Sequence, residues 1–379
     1  MSHLPTPSPE ALQHSAALCR LIAEEIAANR GWISFARYME LALYAPGLGY
    51  YSSGAAKFGA PGDFVTAPEI SPLFGRTLAQ QAAQILRLTN GGILEVGAGS
   101  GQLALQLLTE LQRLDTLPER YFILEVSADL RERQQALLAP FADRVEWLDT
   151  LPNRFTGLIL GNEVLDAMPV EMIDWRADGI YQRGVTLAGD SFAWDGRLLE
   201  AGPLFDAASQ LAPPADYVSE IGLAGRAFIG TLAGVLEAGA ILMVDYGFGA
   251  SEYYHTQRSR GTLMCHYRHH AHDDPFYLPG LQDITAHVDF TAMAEAGLDA
   301  GLKLLGYTTQ ASFLINCGIT HLLQETPAEN VSTYFPLAAQ AQKLMSPAEM
   351  GELFKVIALG KNLAEPLLGF ATGDKRRLL

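Results

Sequence analysis

The stretch Gly91-Gly92-Ile93-Leu94-Glu95-Val96-Gly97-Ala98-Gly99-Ser100-Gly101-Gln102-Leu103-Ala104 joins an apolar strand to a helix through a turn with glycine at every second position. Gly97, Gly99 and Gly101 allow positive φ and a close approach of the backbone to a ligand. A dinucleotide site requires G-x-G-x-x-G, whereas here the third glycine comes one residue early. The preceding Glu95 suits a cationic ligand better than a phosphate. We predict a cofactor site formed by Glu95 and the three glycines; a tight turn without a ligand is the alternative.

The next predicted strand also ends in a carboxylate. Tyr121 to Ser127 is an apolar run that contains Glu125, 24 residues after Gly101. A carboxylate at the tip of the second parallel strand can accept hydrogen bonds from both hydroxyls of a ribose. We therefore assign Glu125 to the cofactor site. The alternative is a surface glutamate beside a helix that Ser127 caps.

Two further strands follow, Val145 to Asp149 and Gly157 to Glu163. The order strand, helix, strand, helix, strand, strand predicts a doubly wound α/β sheet. Ligands of such sheets bind beyond the carboxyl ends of the strands. We therefore add the residues at these two ends to the predicted cofactor site: Trp147, Asp149 and Asn162.

Composition restricts the class of partner and the compartment. The chain has 379 residues, 49% of them hydrophobic, and a net charge of -16. This charge argues against nucleic acid and favours a cationic substrate. Three scattered cysteines, Cys19, Cys265 and Cys317, predict a reducing cytosol. We expect neither a targeting signal nor a membrane span, because the sequence has no apolar run near the roughly 20 residues that a span requires.

The predicted organisation is a sheet core with additions. The boundaries are an N-terminal helical and loop cap at 1–75, the first part of the core at 76–170, a β-hairpin insertion at 171–214 and the rest of the core at 215–379. Periodicity predicts an amphipathic helix over residues 10–29 and further helices near 225–236 and 291–305. It also predicts strands at 240–245, 307–315 and 354–359.

Longer motifs carry a family resemblance. They are Ile33 to Tyr44, Pro46 to Tyr51, Gly62 to Ser71, Gly161 to Val170, Asp245-Tyr246-Gly247, Arg260 to Leu263 and Gln282 to Phe290. In this order they resemble the MidA family, bacterial relatives of the mitochondrial complex I assembly-factor protein arginine methyltransferase. The resemblance implies a Rossmann-like class I methyltransferase with a mostly parallel sheet of seven strands, and S-adenosyl-L-methionine as cofactor. It also implies arginine methylation of a partner protein such as a respiratory complex subunit.

Two acidic residues fit an arginine acceptor. A guanidinium is always protonated in water, so carboxylates must bind it and help to withdraw a proton. Glu163 and Asp166 lie at and just beyond the fourth strand, and we predict both as catalytic. Asp166 is equally compatible with a helix cap or turn. Glu171 lies eight residues after Glu163, but we discount it as a catalytic residue because its segment has the pattern of a strand.

Two further motifs add candidates. Asp283 to Phe290 alternates polar and apolar residues, which predicts one polar face on an extended segment. On that face we predict His287 and Asp289 as catalytic; His287 can act as a base or form a structural hydrogen-bond pair with Asp289. The family motif implies that a loop containing Gly62, Asp63 and Phe64 closes over the cofactor. Taken alone, these residues favour a simple turn.

A cluster of possible metal ligands lies in one short segment: Cys265, His266, His269, His270, His272, Asp273 and Asp274. It has neither a C-x-x-C pair nor an H-E-x-x-H helix, the spacings that zinc sites prefer. We predict no metal here. The resemblance implies instead a polar loop that covers the substrate cleft.

Two other functions remain open at this point. Methylation of an oxygen or nitrogen of a small molecule would require a deep closed pocket rather than an acidic groove. A non-catalytic assembly protein would have lost cofactor affinity, which the intact glycine turn and Glu125 argue against.

Overall fold

A computed structural model describes residues 4–53, 65–211 and 213–379. Within these ranges the strands are β1 Ile33–Ser34, β2 Gly92–Val96, β3 Tyr121–Leu124, β4 Val145–Leu148, β5 Phe155–Asn162, β6 Glu171–Arg176, β7 Gly179–Ala188, β8 Ser191–Leu198, β9 Tyr217–Ile221, β10 Leu236–Phe248, β11 Met264–Tyr267, β12 His270–His272, β13 Asp283–Thr285, β14 Val288–Asp289, β15 Lys303–Thr309 and β16 Phe354–Lys361.

The same ranges contain the α-helices. They are α1 Pro9–Ala28, α2 Phe35–Tyr44, α3 Ala67–Ile70, α4 Pro72–Thr89, α5 Gln102–Arg113, α6 Ala128–Leu137, α7 Pro203–Leu211, α8 Leu223–Val235, α9 Ala250–Tyr253, α10 Phe290–Asp299, α11 Gln310–Asn316, α12 Ile319–Gln324 and α13 Val331–Met345.

The chain divides into two compact units. The core unit contains Val65–Val164, Ala227–Gly249 and Phe290–Leu379, and the accessory unit contains Met1–Phe64, Leu165–Arg226 and Ala250–Asp289. These limits differ from the boundaries predicted at 75, 170 and 214. The difference arises because β9 pairs with β6 of the hairpin segment, whereas α4 packs its buried residues into the core. Such pairings join segments that are distant in sequence.

The core unit is built on a mixed sheet in which the strands follow the order β15-β16-β10-β5-β2-β3-β4. The five strands from β10 to β4 are parallel to their neighbours, and β16 is antiparallel to β10 and β15. The α/β fold is therefore confirmed. After β4 the chain returns to place β5 on the other side of β2. This reversal creates a switch point at the carboxyl ends of β2 and β5, where ligands of open α/β sheets bind.

Local signals in the sequence explain the helices that flank the glycine turn. Ser71 caps α4, its hydroxyl accepting the Leu73 N–H at 3.2 Å, and the helix ends at Asn90 with φ of 50°. Helix α5 begins directly after Gly101 and buries one face, formed by Leu103, Ala104, Leu107, Leu108 and Leu111. This apolar stripe packs α5 into the main core cluster.

The accessory unit has two antiparallel sheets. One follows the order β1-β7-β6-β9 with β8 paired to β7, and the other follows β12-β11-β13. The predicted hairpins between Glu171 and Leu199 are thus confirmed as β6, β7 and β8. Helix α1 is also confirmed; its N-cap Ser8 accepts the Ala11 N–H at 3.2 Å.

One predicted segment near the C-terminus is wrong in part. Helix α10 ends at Asp299 rather than near 305, and Gly301 has φ of +83° before β15 begins. The strand predicted to run to Ile315 ends at Thr309, whose side chain caps α11 by accepting the Ser312 N–H at 3.3 Å. A capping threonine in an apolar run starts a helix where periodicity alone continued the strand. β15 and β16 do form the predicted final pair.

Candidate active site

The glycine turn has the conformation that its sequence predicts. Gly97, Gly99 and Gly101 have φ values of 64°, 55° and 85°. The turn is fixed by hydrogen bonds from the Gly97 N–H to the Leu124 carbonyl and from the Gly101 N–H to the Ala98 carbonyl, both 2.9 Å. A Cβ at Gly97 would lie 3.2 Å from Val164. The backbone here is therefore left-handed, and at Gly97 it is also closely packed.

One support of this turn is a residue that the sequence did not indicate. The Ser100 hydroxyl donates to the carboxylate of Glu69, which lies in the short helix α3. The neighbouring Gln106 amide donates to the Pro68 carbonyl at 2.8 Å. Helix α3 is thereby held against the turn and α5, a contact that nothing in the spacing of these residues indicated.

Glu125 lies directly beside the turn and is 7% exposed. Its carboxylate accepts the Ser127 N–H at 3.0 Å and the side-chain amide of Gln134 at 3.1 Å. Burial raises the pKa of Glu125, against hydrogen bonds that include the backbone N–H of Gly99. Ser127 also caps α6, so the capping role that we weighed against a ligand role coexists with a buried carboxylate at the strand tip.

Trp147 and Asp149 differ in their surroundings. The Trp147 indole N–H donates to the side-chain oxygen of Gln134 at 2.9 Å, which joins it to the Glu125 network. The Asp149 side chain is 86% exposed and forms a 2.8 Å ion pair with Arg131. Asp149 therefore lies at the surface, where a single ion pair contributes about 0 to 1 kcal/mol.

Glu95 lies beneath the turn and is 2% exposed. It accepts a 2.7 Å hydrogen bond from the Tyr121 hydroxyl. Burial, opposed by this hydrogen bond and reinforced by the charge of Glu125, raises the pKa of Glu95 to about 7. Near neutral pH a substantial fraction of Glu95 is therefore uncharged.

β5, which lies beside β2 at the switch point, ends at Asn162, and Glu163 follows directly. The Asn162 amide donates to the Glu163 carboxylate at 2.9 Å, whereas the Asn162 side-chain oxygen is buried without a partner in the described structure. Glu163 has φ of 53°, the left-handed region that a glutamate rarely adopts. Such a conformation costs about 1 to 3 kcal/mol and is concentrated at functional sites.

Asp245 anchors this strained turn. It is 1% exposed. Its carboxylate accepts the Val164 N–H at 3.1 Å and the Tyr246 N–H at 2.9 Å, while the Glu163 N–H donates to the Val244 carbonyl at 2.9 Å. The sequence contained Asp245 within a motif but gave it no role. Its contact with the segment after β5 depends on the pairing of β10 with β5, which the sequence does not encode.

The accessory unit contains the other predicted catalytic residues. Asp166 is 6% exposed and lies in a turn, and its carbonyl accepts the Ala286 N–H at 3.0 Å. The backbone N–H of His287 donates to the Thr262 hydroxyl at 3.0 Å. Asp289 helps to raise the pKa of Tyr254, for which burial is the main cause. Asp166 therefore lies in a turn, which is one of the structural placements that its sequence allowed.

Two expectations about this unit are corrected. The motif from Asp283 to Phe290 is two short strands, β13 and β14, and not one extended segment with a polar face; Asp283 and Thr285 are as buried as Ile284 between them. The expected polar loop at 265–274 contains a β-hairpin, in which Cys265 pairs with His272. Backbone pairing with β13 and burial explain both differences.

Glu220 and Tyr51 form buried polar contacts that the sequence did not indicate. Glu220 accepts the N–H groups of Thr262 and Leu263, each at 2.8 Å, and so orders the segment that binds His287. The Tyr51 hydroxyl donates to Asp283 at 3.0 Å. Glu171 begins β6, as its pattern predicted, and accepts the Gln182 amide at 2.8 Å.

One predicted loop falls outside the described ranges of the structure. Gly62, Asp63 and Phe64 lie outside them, so the loop predicted to close over the cofactor stays a prediction. Within the described ranges, no three His, Cys, Asp or Glu side chains gather as a metal site would require. No helix in this part of the chain is both long and apolar enough to cross a bilayer.

Comparisons with known proteins define the class. A family profile for S-adenosyl-L-methionine-dependent methyltransferases matches residues 76–308, and the chain belongs to this family. A COG1565 superfamily member from Burkholderia thailandensis, solved with bound S-adenosyl-homocysteine, is 48% identical with a TM-score of 0.96, and the match covers 100% of both chains. The protein is therefore a methyltransferase that uses S-adenosylmethionine.

More distant relatives carry a substrate in their names. The Caenorhabditis elegans protein arginine methyltransferase NDUFAF7 homolog, mitochondrial, is 28% identical over 84% of this chain and 79% of its own length. Protein arginine methyltransferase NDUFAF7, mitochondrial, from Mus musculus is 29% identical over 87% of this chain and 81% of its own length. The family resemblance found in the sequence is thus confirmed.

The described residues fit an adenosyl cofactor. The left-handed turn brings backbone close to the switch point, Glu125 provides a buried carboxylate beside it, and the Asn162 side-chain oxygen is a buried acceptor without a partner. An orphaned buried polar atom is rare in folded proteins and indicates a missing partner.

The glycine turn yields the first prediction. Gly99→Asp places a side chain and a negative charge beside Glu125, so S-adenosyl-homocysteine binding should fall by at least about 100-fold while the fold survives. Titration calorimetry measures the affinity. Gly189→Asp is the control, because Gly189 also has positive φ, 66°, with nothing within 4 Å. Unchanged affinity in a folded Gly99→Asp protein would exclude the turn from the site.

The buried Glu95 yields a pH prediction. Its folded pKa of about 7 exceeds the ordinary 4.5, so the stability gained from protonation is complete below pH 4.5 and is lost as the pH rises through 7. Glu95→Gln removes this loss. Relative to the parent, the variant should gain up to about 3 kcal/mol in free energy of unfolding between about pH 5 and about pH 8. Urea unfolding of both proteins tests this; parallel pH profiles contradict it.

Proposed function

We propose that this protein methylates an arginine side chain of a partner protein. The observation that carries the proposal is Glu163, a carboxylate held in a strained left-handed conformation at the switch point, beside the orphaned oxygen of Asn162. The relatives named as arginine methyltransferases support the same acceptor. The net charge of -16 favours the approach of a cationic segment.

An arginine acceptor places defined demands on the residues. Transfer forms a bond between nitrogen and the methyl carbon, breaks the carbon–sulfur bond and releases one proton from the guanidinium. The guanidinium stays protonated in water, so the acceptor nitrogen must lose a proton as the bond to the methyl group forms. Glu163 would bind and orient the guanidinium and accept that proton or pass it to water. Asp166, His287 and Asp289 lie in the accessory unit, and their catalytic roles stay predictions.

The cofactor supplies an electrophilic methyl group on a sulfonium. We assign the binding of its ribose hydroxyls to Glu125. The backbone of Gly97, Gly99 and Gly101 would line the site next to this carboxylate. Glu95 supports the turn from below through its contact with Tyr121. Positioning contributes most of the rate in a direct displacement of this kind, because the reacting atoms must be held about 3 to 3.5 Å apart.

The cellular setting is part of the proposal. A respiratory complex subunit is the partner class that the family resemblance implies. We place the protein in the cytoplasm, where its free cysteines stay reduced. Two of them, Cys265 and Cys317, are buried, which also protects them from oxidation.

The ribose assignment is tested by Glu125→Ala. Losing two charge-assisted hydrogen bonds should cost about 2 to 4 kcal/mol, which weakens S-adenosyl-homocysteine binding by about 30-fold to about 1000-fold. Calorimetry provides the measurement. Glu132→Ala removes an exposed glutamate from the following helix, α6, and should leave binding unchanged. An affinity for Glu125→Ala within about threefold of the parent places Glu125 outside the site.

The acceptor assignment is tested by Glu163→Gln, which keeps the shape of the side chain and removes its charge. Loss of one partner of a desolvated ion pair costs about 3 to 5 kcal/mol, so transfer should slow by two to four orders of magnitude, while cofactor affinity stays normal. Transfer of labelled methyl to an arginine-containing acceptor protein measures the rate. The control is Glu146→Gln, an exposed glutamate of β4.

Two results would overturn this assignment. Near-parent transfer by Glu163→Gln would remove the carboxylate from the reaction. A native acceptor that proves to be a neutral hydroxyl compound would replace the arginine proposal with methylation of a small molecule. Mass spectrometry of proteomes with and without the enzyme identifies the acceptor.

A further inference from the structure

Gln134 is a fully buried polar residue of helix α6, with 0% exposure. It lies nine residues after Glu125 and belongs to none of the motifs in the sequence. A buried amide is costly unless its hydrogen-bonding groups have partners. Its contacts therefore indicate why a polar residue occupies this position.

The Gln134 amide contacts three different parts of the core unit. Its nitrogen donates to the Gly99 carbonyl at 2.8 Å and to the Glu125 carboxylate at 3.1 Å, and its oxygen accepts the Trp147 indole N–H at 2.9 Å. A glutamine side chain has two N–H donors, and both are used. The geometry also fixes which way the amide faces, since only this orientation satisfies all three partners.

These contacts connect three strand ends through one side chain. Gly99 follows β2, Glu125 follows β3 and Trp147 lies in β4. Gln134 also packs against the turn, because a Cβ at Gly101 would lie 3.2 Å from its Cγ and 3.5 Å from its Cα. A change in the Gln134 side chain would therefore alter the spacing between the glycine turn and the Glu125 carboxylate.

We propose that Gln134 is a positioning residue that sets the ribose end of the cofactor site by holding Glu125, the Gly99 carbonyl and Trp147 in fixed relative positions. The proposal rests on the proposed role of Glu125 in ribose binding. Gln134 acts through the other three residues and orients them before the cofactor arrives. Preorganisation of this kind lowers the cost of binding.

The test uses Gln134→Leu, which keeps most of the volume and removes all three hydrogen bonds. S-adenosyl-homocysteine binding should weaken by about tenfold to about 100-fold. Binding of the analogue that lacks the ribose 2′-hydroxyl should weaken by less than about threefold, because that ligand already lacks part of the contact with Glu125. Calorimetry measures the loss of affinity for each of the two ligands. A loss of stability alone does not change the ratio of these two losses.

Two further variants separate positioning from stability. Gln81→Leu is the matched control: Gln81 is also 0% exposed and hydrogen-bonded, to Gln84 and the Gly369 N–H, but has no contact with the turn. It should lose stability and keep parent affinity. Adding Trp147→Phe to Gln134→Leu removes the unpaired indole N–H, so part of the stability should return while the affinity for S-adenosyl-homocysteine stays low.

Equal losses for the two ligands, or parent affinity in folded Gln134→Leu, would overturn the proposal. If Glu125→Ala leaves S-adenosyl-homocysteine affinity unchanged, the ribose assignment itself fails, whatever Gln134 does. If Glu125→Ala weakens binding and Gln134→Leu does not, only the positioning role fails. The two failures are therefore distinguishable.

Discussion

The left-handed turn at Gly97, Gly99 and Gly101 is the constraint on which the rest of the core unit depends. Because no side chain projects from these positions, α5 can begin directly after the short turn that follows β2, and a neighbouring carboxylate can approach the backbone. Glu125 uses that proximity through the backbone N–H of Gly99. Gln134 closes the network from α6. One backbone conformation thereby fixes the strand ends where we propose that the methyl donor binds.

A second constraint acts at the end of β5. Glu163 adopts a left-handed conformation, which is strained for a residue other than glycine, so the surrounding structure must hold it there. The buried Asp245 does so through the N–H of Val164, and the Val244 carbonyl accepts the N–H of Glu163. The backbone strain at Glu163 lowers stability, and the structure that imposes it fixes the position of one carboxylate. Such strain is typical of residues that act on a substrate.

Buried carboxylates recur in both units, and each is held differently. Glu95 has one hydroxyl donor and a pKa raised to about 7, whereas Glu220 accepts several backbone and hydroxyl donors. A buried carboxylate with a single donor tends to take up a proton, as the raised pKa of Glu95 indicates. The two groups thus serve different ends: Glu220 orders a loop, and Glu95 makes the stability of the core sensitive to pH.

The sequence by itself determined the α/β fold, the glycine turn and the strand-tip positions of Glu125 and Glu163, because these depend on local backbone preferences and on spacing along one chain segment. The methyltransferase class came instead from the resemblance of its longer motifs to a known family. Only the tertiary structure decided which distant residues support them. Gln134, Asp245 and Glu69 carry no local signal, since each acts on a segment that another strand or helix brings beside it. The unit boundaries and the end of β15 followed from pairing and capping across the fold. Such contacts arise from packing between segments, which periodicity in a single sequence does not encode.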